Sequence, residues 1–532
     1  MEDRVRVAAV QLATGTDLDK NLDTCLRMLD KAAAQGAQVV VMPEFCNHIS
    51  LYEGSTHCRS VAVALDGPWL GALARRTAEH GIYTALAVTV PRADGQVTLT
   101  SVLFDPEGRA IATADKQMLM GNERAHLCAG AGASPVAGTV FGPVGLYACM
   151  DGVTFEVPRT FAVRGARLLL NSLNSFALDE AALHIPVRAV ENGVFVAAAN
   201  KVGPLLPPER VPEFSKALGV PPEALEGAGE SQITAPDGTV MAIGPRTGEA
   251  VVVADLDLSR SVPGRLQRRR PEVYGPLARP HTIRPAPAST SEVVAGCVPG
   301  AHSNPELVHD AIDVGAKLVV LPELTPVPDD VPPGVLVITT VLRDAQHIGQ
   351  VWSATGAVHE QVQIHRSDRH RTATRLGDSV GLYRTPFGDL AVIVGDDHRY
   401  PETVRLAAIA GAHMVVVCWQ PEANWECDLA LVERAAENRI SLVACGPPGS
   451  PAATMLIDPP ADSLWNPNRS TPYDGTINTP VITRAAPGDK LLVATMHPGR
   501  AVNREVSKNT DLVGGRPWQA AAVLTTPAGS PG

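Results

Sequence analysis

The sequence has no long apolar segment, no excess of basic residues and no paired cysteine motif. No apolar run approaches the ~20 residues that a transmembrane helix needs, and residues 1–4 lack the basic and then apolar order of a secretory signal peptide. The 45 basic residues are outnumbered by 56 acidic ones, and the net charge of −11 argues against a nucleic-acid-binding surface or a polybasic membrane anchor. We therefore expect a cytoplasmic protein that binds neither nucleic acid nor membrane.

The cysteines give no sign of a disulfide framework or of a zinc site. The nine residues stand singly along the chain, and an odd, dispersed set of this kind fits neither. The cysteines are Cys25, Cys46, Cys58, Cys128, Cys149, Cys297, Cys418, Cys427 and Cys445.

Hydrophobic residues make up 45% of the chain and charged residues 19%, which is typical of a folded globular enzyme and excludes wholesale disorder.

The beginning of the chain alternates between strand and helix patterns. Residues 5–11 form a short apolar run, residues 21–34 carry apolar side chains at helical spacing, and residues 37–44 form a second apolar run that meets a proline. The rhythm continues with strands predicted over 83–90, 97–104, 145–150 and 168–171. This order of elements predicts an α/β layered domain.

The same pattern begins again after a proline-rich stretch, residues 276–290. Several matching residues are separated by 246 positions, whereas Glu44 and Glu323 are 279 apart, so the second copy lacks 33 residues between its glutamate and its aspartate. We predict two related domains, over residues 1–282 and 292–532, joined by the linker end 283–291. The matching pairs are Phe141 and Phe387, Gly142 and Gly388, Asp151 and Asp397, Arg188 and Arg434, Glu191 and Glu437, and Asn192 and Asn438.

Three residues of the first copy have the chemistry of a thiol-dependent acyl-transfer site. A cysteine thiolate is a strong nucleophile, a carboxylate can accept the thiol proton, and a lysine can stabilise the oxyanion that forms when sulfur attacks a carbonyl. Glu44 and Cys149 each end a predicted buried strand, at the sheet edge where ligands bind in open α/β sheets, and Lys116 follows a strand and turn. Taken singly, each has a plainer reading as a packed thiol, a solvated turn or a surface charge.

The three motifs together, in this order, resemble the nitrilase superfamily of carbon–nitrogen hydrolases. Glu44 follows an apolar strand and a proline, Lys116 lies in Asp115-Lys116-Gln117, and Cys149 lies within residues 145–151. The resemblance covers about residues 4–280 and implies catalytic roles for Glu44, Lys116 and Cys149. It also implies a role for Glu123, which stands between the lysine and the cysteine, where the family has a second glutamate. Further matches are residues 188–192, 199–203, 229–233, 236–238 and 269–274.

The resemblance also implies the fold and the assembly. Family members form four-layer α-β-β-α sandwiches and pair through helices, so we expect two tandem sandwiches of this kind. The second copy would then supply the apolar surface against which the first copy packs. The chain would be an intramolecular pseudo-dimer, and it could assemble further into a homo-oligomer.

The first copy departs from the usual family pattern at three places. Met118 replaces the customary histidine of the lysine motif. The Cys149-Met150-Asp151-Gly152 sequence resembles the amidase and carbamoylase branches and disfavours a nitrile substrate. Together with Glu156, seven residues after the cysteine, this sequence is closest to that of the aliphatic amidases. Residues 171–175 replace a more usual Pro-Ala-Asn-Trp, which predicts an unusual pocket wall.

The second copy lacks the residues needed for the same chemistry. Glu323 is retained, but Gly395 stands at the cysteine position and Gln363 near the lysine position. Without a thiolate or its cation, covalent acyl transfer has no chemical basis in that half. A metal site is one alternative, since the region is rich in ligand-type side chains, but a polar loop around the family's ordinary Asp-x-Arg-x-Pro-Glu is the simpler interpretation. The ligand-type residues are His365, Asp368, His370, Asp396, Asp397 and His398.

We therefore expect hydrolysis of a small amide or of a carbamoyl-type C–N bond. Glu44 takes the thiol proton, Cys149 attacks the carbonyl, and Lys116 with the backbone N–H of Met150 stabilises the oxyanion. A thioester forms, and neither a metal nor an organic cofactor is needed. Two alternatives stay open: transfer of the same acyl group to an amine, and a non-catalytic binding or regulatory protein. Residues 204–227 are either a lid over the pocket or a plain surface excursion.

Overall fold

The structure, a computed structural model, describes residues 3–527 of the chain. We refer to residues 3–282 as the first half and to residues 292–527 as the second half. The helices and strands of the first half are Arg4–Gln11 (β1), Leu18–Ala34 (α1), Val39–Val41 (β2), Ser55–Ser60 (α2), Pro68–His80 (α3), Tyr83–Pro91 (β3), Val97–Phe104 (β4), Ala110–Asp115 (β5), Ala137–Thr139 (β6), Gly142–Ala148 (β7), Met150–Val153 (α4), Glu156–Val163 (α5), Leu168–Ser172 (β8), Ile185–Asn192 (α6), Phe195–Ala199 (β9), Val202–Pro204 (β10), Val211–Leu218 (α7), Glu226–Ala228 (β11), Gln232–Thr234 (β12), Val240–Ile243 (β13) and Ala250–Asp257 (β14).

The second half repeats this order of elements. One turn of π-helix precedes α6 at Glu180–His184, and another occurs at Glu426–Ala430. The helices and strands of the second half are Val293–Cys297 (β15), Glu306–Asp313 (α8), Leu318–Val320 (β16), Leu336–Arg343 (β17), Gln346–Ser353 (β18), Gly356–Val362 (β19), Tyr383–Thr385 (β20), Gly388–Val394 (β21), Pro401–Ile409 (α9), Met414–Cys418 (β22), Leu431–Asn438 (α10), Ser441–Cys445 (β23), Met455–Asp458 (β24), Val481–Arg484 (β25), Leu492–Met496 (β26), Glu505–Ser507 (β27) and Thr510–Asp511 (β28).

Local sequence explains where the helices begin and end. The side chain of Asp17 accepts the backbone N–H groups of Asp19 and Lys20 and so caps the first turn of α1. Helix α3 starts with Pro68 and ends at Gly81, which takes the left-handed conformation (φ 63°) that glycine adopts without strain. Short 3₁₀ helices occur at Gly121–Ala125, Pro208–Arg210, Pro222–Leu225, Leu258–Arg260, Pro263–Arg268, Pro271–Val273, Gly275–Ala278, Gly395–Arg399, Pro451–Ala453, Pro498–Val502 and Ala520–Thr525.

Each half contains two six-stranded sheets. In the first half the strand orders are β14-β1-β2-β3-β4-β5 and β13-β12-β9-β8-β7-β6, and in the second they are β19-β18-β17-β16-β15-β26 and β20-β21-β22-β23-β24-β25. The central strands β1, β2 and β3 run parallel, as do β7, β8 and β9. Of the residues predicted from the sequence, Glu44 follows the carboxyl end of β2 and Cys149 follows the carboxyl end of β7.

The layers of each half follow from where its apolar side chains lie. In the first half one core fills the space between the two sheets, a second packs α1 and α3 on the outside of one sheet, and a third packs α5 and α6 on the other. The second half has the same three cores, with α8 outside one sheet and α9 and α10 outside the other. The expected α/β fold of two tandem four-layer α-β-β-α sandwiches is confirmed.

Connections outside the sheets show how the halves differ and how they are joined. Helices α2 and α3 connect β2 to β3, whereas residues 321–335, between β16 and β17, contain neither helix nor strand. Residues 281–291 are also without helix or strand, and they lie along the second half because the N–H groups of Ile283 and Thr290 donate to carbonyls of Ile409 and Pro386. No helix in residues 3–527 has the length and hydrophobicity that a membrane crossing requires.

Helices α5 and α9 connect the two halves through reciprocal buried ion pairs. Arg159 donates to Glu402 at 3.0 and 3.1 Å, and Arg405 pairs with Glu156 at 2.9 Å. These residues are related by the 246-residue offset, so each half contributes one arginine and one glutamate to an equivalent pair. Although burial opposes it, Arg159 and Arg269 hold the pKa of Glu402 well below its usual range.

Helices α6 and α10 form a second reciprocal set in the same interface. Arg188 contacts Glu433 and donates to Glu437 at 2.9 Å, and Arg434 donates to Glu191 at 2.5 Å. All five side chains are buried. The helical interface therefore carries buried charges beside apolar packing, in which Phe155 and Leu277 of the first half share a buried cluster with Leu406 and Ile409 of the second.

Residues 204–227 form a small excursion of their own. Strands β10 and β11 pair with each other, helix α7 and two short 3₁₀ helices lie between them, and Leu205, Val220 and Leu225 are buried. The segment is thus folded locally. Its use as a lid stays a prediction.

We predict that Glu402→Gln destabilises the protein by about 3–5 kcal/mol, because it leaves Arg159 and Arg269 buried without their shared carboxylate. Urea denaturation followed by circular dichroism measures the change. Glu213→Gln, which removes an exposed pair with Arg210, serves as the control and should leave the midpoint unchanged. Equal stability of the two variants would contradict the importance of the buried pair.

Candidate active site

Glu44 lies in a tightly held turn just beyond strand β2. The residue after it, Phe45, has a positive φ of 55°, and its carbonyl accepts a hydrogen bond from the buried Lys201 Nζ at 3.0 Å. The N–H of Glu44 itself donates to the Leu173 carbonyl at 3.1 Å. Because both sides of the turn are anchored, the Glu44 carboxylate is fixed in direction. Its side chain is fully buried.

Cys149 lies in a strained turn between strand β7 and helix α4. Its φ of 48° is unusual for a residue with a side chain and costs on the order of 1–3 kcal/mol. The strain is held by two bonds from the Cys149 N–H, one to Asn171 Oδ1 at 3.1 Å and one to the Ser172 carbonyl at 3.0 Å. Asn171 comes from the segment that the sequence marked as unusual, and the structure places it directly against the cysteine backbone.

Lys116 joins the two predicted glutamates. Its Nζ donates to Glu44 Oε1 at 2.8 Å and to Glu123 Oε1 at 2.9 Å. Glu123 Oε2 in turn accepts the Met120 N–H at 2.9 Å, which fixes the carboxylate. The structure thus brings together three of the residues predicted from the sequence, and it leaves Glu44 Oε2 buried with no hydrogen-bond partner among the described residues.

Burial sets the protonation of this cluster. It raises the pKa of Glu44 to about 7, although Lys116 opposes the shift. Burial, followed by the nearby Glu44, raises the pKa of the Cys149 thiol well above its usual range, with Lys116 acting against them. Lys116 stays cationic, since Glu123 and Glu44 raise its pKa against the effect of burial. The resting site therefore holds a neutral thiol, a lysine cation and a carboxylate that titrates near neutrality.

Asp151 links the cysteine turn to the lysine segment. Its carboxylate accepts the N–H of Gln117 at 3.1 Å and the N–H of Met118 at 2.8 Å. The Met118 side chain packs in an apolar cluster with Met150, and its sulfur accepts a hydrogen bond from Thr154 Oγ1 at 3.8 Å. Met150 opens helix α4, so its backbone N–H has no partner within the helix.

Glu180 is a buried carboxylate that the sequence analysis missed. Neither carboxylate oxygen has a hydrogen-bond partner among the described residues, and burial raises its pKa to about 7. Its charge acts on both Cys149 and Glu44, which places it beside the candidate site. It occupies the π-helical turn before α6. No pattern in the sequence of this segment singled it out.

The equivalent site of the second half keeps the backbone and loses the chemistry. Gly395 has the same left-handed φ, 52°, and Glu323 follows β16 as Glu44 follows β2. Arg369 donates to Glu323 at 2.5 and 3.2 Å, and Gln363 occupies the predicted lysine position. A Cβ on Gly395 would lie 3.0 Å from Glu323 Oε1 and 3.1 Å from the His347 ring. The side chains of Glu323 and His347 therefore occupy the space that a side chain at position 395 would need.

Potential metal ligands in the second half are engaged with protein groups. Glu323, His347 and His370 bring one ligand-type atom each within 4.8 Å of one another. However, Glu323 is held by Arg369, and His347 contacts Gln363 Oε1 at 2.6 Å and Thr340 Oγ1 at 2.9 Å. The residues of the sequence-based alternative do not converge on one point: His365 contacts Asp397 and Tyr274, and His398 contacts Gly395 and Glu426.

We predict that Glu180→Gln lowers the pKa of the Cys149 thiol, because a nearby carboxylate opposes formation of the thiolate. The rate of alkylation by iodoacetamide, followed by intact mass across pH 6–10, should rise at lower pH than in the parent protein. Glu223→Gln, at an exposed position of the 3₁₀ helix Pro222–Leu225, should leave the profile unchanged. An unaltered profile for Glu180→Gln would show that this carboxylate does not act on the cysteine.

Comparison with known proteins covers mainly the first half. The carbon-nitrogen hydrolase family profile matches residues 6–265. A bifunctional nitrilase/nitrile hydratase of Nicotiana tabacum is 30% identical over 314 residues, which are 53% of this chain and 88% of that protein. A nitrilase of Pyrococcus abyssi is 28% identical, over 48% of this chain and 90% of that protein. A solved structure of a mutant amidase from Nesterenkonia sp. AN1, of the nitrilase superfamily, is 26% identical with a TM-score of 0.43, over 51% of this chain and 95% of that one. The chain belongs to the carbon–nitrogen hydrolases of the nitrilase superfamily.

Proposed function

We propose that the first half hydrolyses the C–N bond of a small amide or carbamoyl compound through a thioester on Cys149. One observation carries the proposal. Glu44 has one carboxylate oxygen held by Lys116 and the other buried without a hydrogen-bond partner among the described residues, beside a neutral thiol. A free, buried carboxylate oxygen that titrates near pH 7 is suited to accept the thiol proton.

The first step forms a carbon–sulfur bond. The Sγ–H proton of Cys149 passes to Glu44 Oε2 while sulfur attacks the carbonyl carbon. The carbonyl oxygen becomes an oxyanion, which the Lys116 cation and the backbone N–H of Met150 stabilise. Lys116 stays protonated because two carboxylates surround it, so it acts as a fixed charge and donates no proton to the leaving group.

The next steps break the C–N bond and release the acid. The protonated Glu44 gives its proton to the departing nitrogen, and ammonia or an amine leaves while the acyl group remains on sulfur. Glu44 then takes a proton from water, the hydroxyl adds to the thioester carbonyl, and the acid is released as the proton returns to sulfur. Glu123 fixes Lys116 through the whole cycle.

The substrate proposal rests on the residues after the nucleophile. Cys149-Met150-Asp151-Gly152 resembles the amidase and carbamoylase branches, and Asp151 uses its carboxylate to hold the backbone of the lysine segment. Several curated relatives are named nitrilases, so nitriles belong in the substrate panel. Incubation with amides, carbamoyl compounds and nitriles, with hydroxylamine as a competing acceptor, distinguishes hydrolysis of the thioester from transfer to an amine.

We predict that Cys149→Ala and Cys149→Ser abolish both turnover and the acyl adduct seen by intact mass. The substitutions are small and leave the fold intact, so a circular dichroism melt should match the parent protein. Cys427→Ala, a buried cysteine of the second half, is the control and should retain activity. Activity of either Cys149 variant within about tenfold of the parent would contradict a covalent role for this residue.

We predict that kcat/KM falls below pH 7, by about tenfold for each pH unit, because Glu44 must be ionised to accept the proton and its pKa is about 7. The profile is measured by initial rates from pH 5 to 8 on the substrate found in the panel. Glu44→Gln should remove activity at every pH. A flat profile down to pH 5 would exclude Glu44 as the base.

We propose that the second half serves as a tethered partner for the first. The reciprocal pairs between α5 and α9 and between α6 and α10 support this role. A chain ending at Ile283 would leave Arg159 without Glu402 and Arg188 without Glu433 and Glu437, so we predict that it aggregates, self-associates or loses activity. Size-exclusion chromatography with light scattering measures the outcome. A monomeric, folded and fully active first half would contradict the proposal.

A further inference from the structure

A cavity of about 530 Å³ lies between the two halves, beside the turn where Gly395 replaces the cysteine. Asp396 and Tyr400, which closely follow Gly395, form part of its wall. Arginine dominates its lining, with guanidinium groups contributed by both halves. The arginines are Arg260, Arg265 and Arg268 from the first half and Arg366 and Arg399 from the second.

The carboxylates around the cavity neutralise only part of this charge. The Asp396 carboxylate forms an ion pair with Arg369 at 2.7 Å. Arg265 and Arg366 form no ion pair with any of the described residues: Arg265 donates to a backbone carbonyl and stacks over the Trp425 ring at 4.4 Å, and Arg366 is exposed. The pairs that do form are Arg260 with Asp237 at 3.3 Å, Arg268 with Asp368 at 2.5 Å, and Arg399 with Glu422 at 2.9 Å, Glu426 at 3.1 Å and Asp396 at 3.8 Å.

An adjoining cavity of about 540 Å³ extends the same cationic surface. It shares Arg268 and Arg366 with the first cavity and adds Arg269, Arg270 and Arg371 to the lining. Arg269 pairs with Glu402 and Arg270 with Glu272. The chain as a whole carries a net charge of −11, so this concentration of arginine is local. A positively charged recess on an acidic protein attracts anions selectively to that place.

The corresponding region of the first half is apolar and closed. The residues 246 positions before Asp396 and Arg399 are Met150 and Val153, and both belong to a buried apolar cluster. That cluster is completed by Ile477, Val506 and Leu512 from the second half. One interface between the halves is therefore packed with apolar side chains, whereas its counterpart is an open cavity lined with charge.

The arginines in the cavity also disfavour one another. Burial, followed by the charge of Arg399, lowers the pKa of Arg265 from its ordinary value. Glu426, which pairs with Arg399 at 3.1 Å, offsets this repulsion only in part, and a bound anion would offset more of it. Guanidinium groups bind phosphate oxygens through paired N–H donors, which makes arginine the preferred partner of phosphate groups.

We propose that this cavity binds a small organic phosphate that bridges the two halves. The phosphate would lie between Arg265 and Arg366, one from each half and neither with an ion-pair partner among the described residues. The cavity exceeds the size of a phosphate ion, and Pro236, Tyr400 and Trp425 provide an apolar wall for the remainder of the ligand. The second half would thus have exchanged a covalent site for a binding site at the same sheet edge.

The test measures binding to the full-length protein with inorganic phosphate and pyrophosphate as probes. Each should raise the melting temperature above the value in sodium chloride of equal ionic strength, and calorimetry should give one site per chain. Cys149→Ala should bind equally well, which separates this site from the candidate active site. Citrate, a polycarboxylate, serves as the comparison anion. If citrate bound as tightly as pyrophosphate, the proposed preference for phosphate would be overturned.

The variants decide where the probe binds. Arg366 is exposed, so Arg366→Gln leaves no buried group unpaired. Both Arg366→Gln and Arg265→Gln should weaken binding of the probe by at least about tenfold. Arg75→Gln, which removes an exposed arginine of helix α3, is the matched control and should bind as the parent does. The proposal is overturned if the parent protein shows no stabilisation beyond salt, or if Arg366→Gln binds as tightly as Arg75→Gln.

Discussion

The buried exchange of arginine and glutamate between the two halves is the interaction on which the rest of the structure depends. Arg159, Arg188, Arg405 and Arg434 are buried, and each forms an ion pair with a carboxylate of the opposite half. Removing one partner of such a pair leaves an uncompensated buried charge. The pairs therefore fix how the halves pack as well as whether they pack. They also reach the candidate site, because His184, one turn from Glu180, contacts Glu433 across the same interface.

The two halves show how one backbone can carry different chemistry. Both have a left-handed residue after the glutamate that the two copies share, at Phe45 and Leu324, and both have one at the nucleophile position. The first half uses that turn to hold Cys149 against a lysine cation. In the second half Arg369 neutralises Glu323 and no side chain projects from Gly395, so the turn remains as scaffold. Loss of the nucleophile relieved the strain at no cost to the sheets, since glycine adopts this conformation freely.

Predictions of the elements were reliable where hydrophobic periodicity was strong and failed at the ends of strands. The strand predicted over 145–150 ends at Ala148, because Cys149 turns the chain out of the sheet. The strand predicted over 37–44 pairs only over Val39–Val41, because the segment up to Glu44 curves to reach Leu173. Both errors fall where the candidate catalytic residues lie. Local pattern describes an element, whereas a strained turn exists only because surrounding groups hold it.

The sequence by itself determined the two-copy pattern and the layered α/β fold, since these depend on periodicity and repeated spacing. Its motifs also predicted Glu44, Lys116 and Glu123, through their resemblance to the nitrilase superfamily. Only the tertiary structure decided which buried charges meet. Arg159 and Glu402 are 243 residues apart, and Glu180 is brought to Cys149 by a π-helical turn. The cationic cavity arises likewise from residues of both halves. Ion pairs and cavities of this kind depend on how separate surfaces face each other, and no local pattern in the chain encodes that geometry.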